Sequence, residues 1–138
     1  MRRVLVPVLV VLAICAVSLR AAQEIPDAVP KAITAWLSLI DHGKYAESWQ
    51  QASATFRQQV TQANWEKALG QARAPLGALV KRTVARMTSA TSLPGAPDGQ
   101  YVVAQFRTEF EHKKSALETV TFMRESDGTW RAVGYFVR

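Results

Sequence analysis

Two carboxylates that meet on neighbouring strands cannot both ionise freely, so one keeps its proton and can serve as a general acid or base. Glu109 and Glu118 take that arrangement if Lys113-Lys114 is a two-residue hairpin loop, which sets them face to face. The same residues also fit a surface salt-bridge ladder, with Arg107 diagonal to Glu118 and Arg131 on the same face. A second candidate is Asp41-His42, since a histidine beside a carboxylate suits proton shuttling or metal binding. Adjacent helix positions diverge, however, and the other histidine, His112, lies far along the chain near a turn. Asp41 can instead cap the helix that follows, and His42 can complement the end of the helix before it. No metal-ligand set and no cofactor site follows from this pattern. A Gly-x-Ser-x-Gly elbow, a dinucleotide fingerprint and a P-loop are all missing from the sequence.

These residues need elements to position them. Asp27 is placed to cap a first helix, with Pro30 in its first turn. Ile33, Trp36, Leu37 and Ile40 fall on one helical face, and Gly43 ends it. Tyr45, Trp49, Ala52 and Phe56 continue as a second helix. Thr61 starts a third, with Val60 and Trp65 at the positions of a hydrophobic staple. After Gly77 the apolar period changes to two, and four strands follow at about 78–91, 100–112, 115–126 and 129–137. The joins are the Pro94–Gly99 stretch, Lys113-Lys114 and Asp127-Gly128. Helices followed by an antiparallel meander give an α+β domain, three helices packed on one face of a four-stranded sheet.

Two-residue loops at the last two joins assign the sheet faces. One face carries Ala104, Phe106, Phe110, Leu117, Met123, Trp130, Ala132 and Phe136, and is expected under the helices. The other carries Gln105, Arg107, Glu109, Glu118, Arg131 and an apolar group of Val120, Phe122, Val133, Tyr135 and Val137. Such a group facing away from the helices calls for a covering partner, most simply a second copy in a homodimer. Trp36, Tyr45, Trp49, Phe56, Trp65 and Trp130 fit either a ligand pocket between helices and sheet or an ordinary aromatic core.

The N-terminus bounds the setting. Arg2 and Arg3 precede an apolar run from Val4 to Leu19, and Arg20-Ala21-Ala22 follows. This is the layout of a secretory signal over 1–22, cut after Ala22 or after Ser18, which leaves a single domain over 23–138. A run of 16 residues makes about 24 Å of helix against a hydrocarbon core of ~30 Å. The expected location is therefore the periplasm or the exterior, with an inner-membrane anchor as the alternative. Contact with a membrane is expected only if the segment is retained. Cys15, the only cysteine, leaves with the signal, so the mature domain has no thiol for a disulfide or a metal. Arg2, Arg3 and Arg20 leave too, taking 17 basic residues to 14 against 11 acidic ones, a net charge of +3. Scattered charges of that size give no nucleic-acid surface.

Several stretches together resemble a known family: Trp36-Leu37-x-Leu-Ile-Asp41-x-Gly43-x-Tyr45-x-x-Ser48-Trp49, then Arg73-x-Pro75-Leu76-Gly77, then Leu93-Pro94-Gly95-Ala96-Pro97-Asp98-Gly99-x-Tyr101. Glu118-Thr119-Val120-Thr121 and Asp127-Gly128-x-Trp130-Arg131-x-x-Gly134-Tyr135-Phe136 complete the set. The chain is similar, from about residue 32 to its end, to the bacterial domain of unknown function 4019. The resemblance implies a nuclear-transport-factor-2-like cone, and it carries no catalytic residues over. That superfold serves enzymes, ligand binders and assembly domains alike, so the fold names no activity. The sequence reads as an exported binding or assembly module of the bacterial envelope, taking an apolar small molecule or an envelope protein. The alternative is a small isomerase or hydrolase using Glu109, Glu118 or Asp41 as its pocket carboxylate.

Overall fold

A computed structural model describes residues 24–138. The leader, Cys15 and both cut sites lie outside the described residues. Helix α1 (Ala28–Asp41) buries Val29, Ile33, Trp36, Leu37 and Ile40, the stripe set by their spacing. Asp27 occupies the N-cap position but has helical backbone angles and makes no side-chain bond there. The first turn is closed instead by the Val29 N–H donating to the Pro26 carbonyl at 2.9 Å. Gly43, at φ 72°, takes the left-handed turn that ends the helix.

Where one second helix is expected, the chain makes two, α2 (Tyr45–Gln50) and α3 (Ala54–Gln59). Ser53 causes the break. Its backbone is extended, its Oγ accepts the Phe56 N–H at 3.1 Å, and its own N–H donates to the Ala132 carbonyl at 2.8 Å. A strand thus takes the donor that would have continued the helix. Helix α4 (Gln62–Ala72) starts on Thr61, whose Oγ1 accepts the Asn64 N–H at 3.2 Å. A short 3-10 turn, Ala74–Leu76, leads into the sheet. The helical layer therefore holds four α-helices among the described residues.

The four strands are β1 (Leu79–Ala90), β2 (Tyr101–Phe110), β3 (Lys113–Arg124) and β4 (Trp130–Val137), each within a residue or two of its expected span. They form an antiparallel meander in the order β1-β2-β3-β4. Helices followed by this curved sheet make the expected α+β cone.

The register departs from the expectation at both hairpins. The β2–β3 turn is Glu111-His112, and Phe110 pairs with Lys113, so Lys113-Lys114 begins the strand. Phe106 then faces Glu118 and Ala104 faces Val120. The new turn alone would move the pairing by four residues, an even step that keeps the faces; the bulge between Thr108 and Phe110 makes the shift three and turns the β3 side chains from Ala116 onward to the opposite face. Contacts outside the hairpin hold the turn: the His112 N–H donates to the Leu76 carbonyl and the Glu111 N–H to the Ala78 carbonyl, both at 2.8 Å. The last hairpin has a three-residue loop, Ser126–Gly128, closed by the Glu125 N–H on the Thr129 carbonyl, with Gly128 at φ 86°. A bulge beside Val133 follows. Phe122 faces Ala132 rather than Val133, while Val120 faces Tyr135 as expected.

The inner face is therefore Ala104, Phe106, Phe110, Ala116, Glu118, Val120, Phe122, Ala132 and Tyr135, with Trp130 at its margin. Leu117, Met123 and Phe136, expected under the helices, point outward, and Phe136 is 53 % exposed. Val120 and Phe122, expected outside, are buried in the main core, and Tyr135 packs against it. By strand alternation Val137 shares the inner side, next to Glu118.

The turn that sets this register depends on Gly77, at φ 78°. A Cβ there would lie 2.8 Å from His112 Cδ2 and 3.0 Å from Glu111 Cβ. Gly77→Ala is expected to cost about 1–3 kcal/mol. At Gly70, in α4, an added Cβ meets nothing within 4 Å, so Gly70→Ala should stabilise by about 0.5–1 kcal/mol. Urea unfolding of the two variants checks the contrast, and equal effects would show that the Gly77 contact does not matter.

Candidate functional site

The side chains that could do chemistry meet at one end of the helix–sheet interface. Glu118 stands in a run of inward-facing apolar residues on β3, and its side chain is 0 % exposed. Oε1 accepts Arg82 Nε at 2.7 Å and Thr108 Oγ1 at 2.6 Å. Oε2 accepts Arg82 Nη2 at 3.1 Å and the Tyr135 hydroxyl at 2.5 Å. Arg82 reaches it from β1, crossing over Thr108 on β2, its direct neighbour in the sheet.

The other side of the Arg82 guanidinium is held by Asp41, the last residue of α1. Nη1 donates to Oδ2 at 2.8 Å and Nη2 to Oδ1 at 2.9 Å. Arg73 completes the group. Its Nη2 lies 3.4 Å from Asp41 Oδ1, its Nη1 donates to the Gly77 carbonyl, and its guanidinium carbon sits 4.2 Å from the centre of the Phe110 ring. Two arginines and two carboxylates make a neutral cluster. Its side chains are 3 % (Arg73), 14 % (Arg82) and 9 % (Asp41) exposed. Among the described residues, Arg73 Nε is the one nitrogen or oxygen of the four charged side chains that is buried without a partner.

The environment sets the protonation states. Burial, then the charge of Glu118 and the hydrogen bond to it, push the Tyr135 phenol well above its ordinary range. Burial works against the Arg82 charge, but its hydrogen bonds to Asp41 and Glu118, reinforced by their charges, hold it above an ordinary guanidinium. The cluster therefore carries a protonated phenol and a fixed cation. Every lone-pair direction of Glu118 that the geometry uses already holds a proton donor.

The structure separates the expected Glu109–Glu118 pair. Glu109 lies on the outer face opposite Lys81, while Glu118 lies inside. Asp41 caps no helix, since Lys44 holds the N-cap position of α2. His42 is exposed, with Nδ1 2.7 Å from the Ser38 carbonyl, and His112 is exposed at the β2–β3 turn. Sequence reasoning misses Arg82, Arg73 and Thr108 as site residues. The available signal is a lone charge in an apolar alternation: Val80-x-Arg82-x-Val84 and Ala116-x-Glu118-x-Val120-x-Phe122.

The six aromatic candidates pack into or against the core. Trp36 and Trp65 stack at 6.2 Å, and Phe56 meets Trp65 edge-on at 5.0 Å. Fully buried Ser48 ties three helices together: its carbonyl accepts Trp36 Nε1 at 2.8 Å and its Oγ accepts Trp65 Nε1 at 2.9 Å. Trp49 Nε1 donates to the Val60 carbonyl at 2.7 Å. Tyr45, Trp49 and Trp130 pack against this core from its edge. Phe56 and Trp130 also border separate surface hollows, of about 190 and 260 Å³. The outward apolar group expected as a dimer interface has lost Val120, Phe122 and Tyr135 to the interior, and that argument for a covering partner goes with them.

Helices on one face of a curved antiparallel meander, joined to it by a buried ion cluster, make this an α+β cone. The chain matches the family described as "Protein of unknown function (DUF4019)" over residues 32–135 and belongs to it. Among solved structures it is similar to Aln2 from a Streptomyces species, with a TM-score of 0.50 and 13 % identity over 83 % of this chain and 93 % of that one. At that identity the likeness speaks for the fold alone. No curated protein matches it in sequence.

Removing Glu118 leaves Arg82 buried with half its partners gone. Glu118→Ala is expected to cost about 3–5 kcal/mol in urea unfolding, and a loss below about 1 kcal/mol would show that the cluster is solvated. Tyr135 gives a pH signature. A folded phenol pKa above the unfolded value of ~10 favours the protonated native state. Its stabilisation is fully present below pH ~10 and declines as pH rises above that value toward the folded pKa. In Tyr135→Phe that part of the alkaline decline should vanish, while neutral stability drops by about 1–3 kcal/mol. Thermal melts across the alkaline range read both, and an unchanged alkaline slope would sink the assignment.

Proposed function

We propose that this chain is an exported binding or assembly module of the bacterial envelope and that it performs no acid–base catalysis. The observation that carries the reading is the state of Glu118. A general acid or base must touch its substrate, and the Glu118 side chain has no exposed surface and four hydrogen-bond donors already on it. Asp41 is bound to two arginines. Glu109, the third candidate, lies on the outer face opposite Lys81. The space between helices and sheet is occupied by Trp36, with the rings of Trp65, Phe122 and Tyr135 centred 6.2, 6.0 and 6.0 Å from it.

Binding then falls to the outer surface. The hollow beside α3 is walled by Phe56, Leu93, Pro94, Tyr101, Met123 and Val133, which suits an apolar side chain or a small apolar ligand. Export rests on the arginine-led apolar leader and its small-residue exit. No helix among the described residues is long and apolar enough to cross a membrane, so an anchored form would depend on the leader.

The test is the processed protein itself. Mass spectrometry of the native protein should find the N-terminus at Gln23 or Leu19 in the periplasmic or secreted fraction. An intact Met1 in the membrane fraction would overturn cleavage. The processed domain, used as bait on envelope extract with native mass spectrometry, should retain a discrete ligand or protein. Met123→Glu in the apolar hollow should abolish that retention without unfolding the domain. Retention undiminished by that change would remove the hollow from the reading.

A further inference from the structure

The outer face of the sheet carries a second polar site, chemically the reverse of the buried cluster. A concavity of about 510 Å³ lies over β1, β2 and β3 and is lined by Lys81, Arg107, Lys114 and Arg138 with Thr83 and Ser115. One row runs across the sheet: Thr83 pairs with Arg107, Arg107 with Leu117, and the Leu117 N–H donates to the Arg138 carbonyl at 2.8 Å. Lys81 stands two residues along β1 from Thr83, opposite Glu109. Each strand therefore delivers a cation or a hydroxyl to the same depression. Glu109 is the only carboxylate side chain in the lining.

The contrast with the interior argues for a ligand. This chain pairs both of its buried-cluster arginines with carboxylates. Among the described residues, none of the four cations of the outer concavity makes an ion pair, and all four are exposed. Four positive charges against the one carboxylate side chain of Glu109 leave the concavity positive, and an anion seated between the cations relieves their mutual repulsion. A guanidinium offers parallel N–H donors for two oxygens of one phosphate, the ammonium groups supply point charges, and hydroxyls of Thr83 and Ser115 can donate to the remaining oxygens. The volume lies within the range of small-molecule sites.

We infer that this concavity is a binding site for a small phosphate-bearing anion, with Arg107 as the bidentate clamp and Lys81, Lys114 and Arg138 as its charge partners. The inference rests on the reading of the chain as a binding module and names a ligand class for it. The site is distinct from the apolar hollow beside α3.

The experiment is titration of the processed domain (residues 23–138) with inorganic pyrophosphate, followed by amide NMR shifts and by calorimetry. The expected result is saturable binding with shifts concentrated at Lys81, Thr83, Arg107 and Ser115. Affinity should fall at least about tenfold between low and roughly 0.5 M salt, because the charges are solvent-exposed. Arg107→Glu with Lys114→Glu should weaken binding by about a hundredfold while the circular dichroism spectrum stays unchanged. Lys31→Glu with Lys67→Glu, exposed on the helices, should change it less than about twofold.

Absence of saturable binding, or equal losses from the two charge pairs, overturns the site. Co-flotation with equimolar phosphatidylglycerol–phosphatidylcholine vesicles supplies the remaining arm. Binding to those vesicles without pyrophosphate binding would overturn the small-ligand assignment in favour of a lipid surface. Retention of an apolar ligand or protein by the α3 hollow is read separately, so failure here is distinguishable from failure of the module reading.

Discussion

Arg82 is the joint between the two layers of this domain. Its guanidinium is gripped on one edge by the carboxylate that ends α1 and on the other by the carboxylate at the centre of β3. Neither carboxylate could be buried alone, because taking an ion out of water costs several kcal/mol per charge. Nor could Arg82. Each is tolerable inside only if the other two stand in the right place, which means that the helix end, the edge strand and the inner strand must be in register together. Arg73 and the Gly77 carbonyl extend the constraint to the connection between α4 and the sheet. A buried ionic cluster of this kind is a weak source of net stability and a strong source of specificity. A one-residue slip of β3 would strand Arg82 and expose Phe122 at once.

The irregularities of the sheet follow from that demand. Strict alternation on β4 cannot place Trp130, Ala132 and Tyr135 on one side, since the first two are even-numbered and the third is odd. The bulge beside Val133 supplies the extra residue that makes it possible. On β1 a second bulge, near Ala85, lets Arg82 and Val84 share the inner side with Met87. On β2 and β3 the turn at Glu111-His112 is pinned by two hydrogen bonds to the segment around Gly77. The curvature that closes a cone comes from these bulges, and they serve the polar cluster as well as the apolar core.

The elements are legible in the sequence and the register is not. Apolar spacing gives α1, Thr61 marks α4, and the period-two runs place all four strands, because each of those signals is local. The break at Ser53 is not local, since it depends on a carbonyl of Ala132 far along the chain. The β2–β3 turn is decided by Leu76 and Ala78, which lie more than thirty residues before it. Lys113-Lys114 reads as a loop because lysines are soluble, yet the pair opens the strand. That misreading sets Glu118 against Glu109 and hides its true partner. The alternation Ala116-x-Glu118-x-Val120-x-Phe122 holds the correction, since a buried glutamate in an apolar stripe demands a cation.

The distribution of charge then locates where the domain can meet its surroundings. In the buried cluster positive and negative charges are matched one to one. Asp41 and Glu118, two of the three candidate carboxylates, are both held by arginines. Aromatic rings occupy much of the space beneath the helices. The cone is packed in this way from the helices to the sheet. What it offers is a stiff curved sheet with a cationic depression at one end of its outer face and an apolar hollow between α3 and the β1–β2 loop. Both depend on the backbone path set by the interior. Leu117 and Met123 face outward because Glu118, Val120 and Phe122 face inward, so the ion pairs at the core fix the shape of the surface available for recognition.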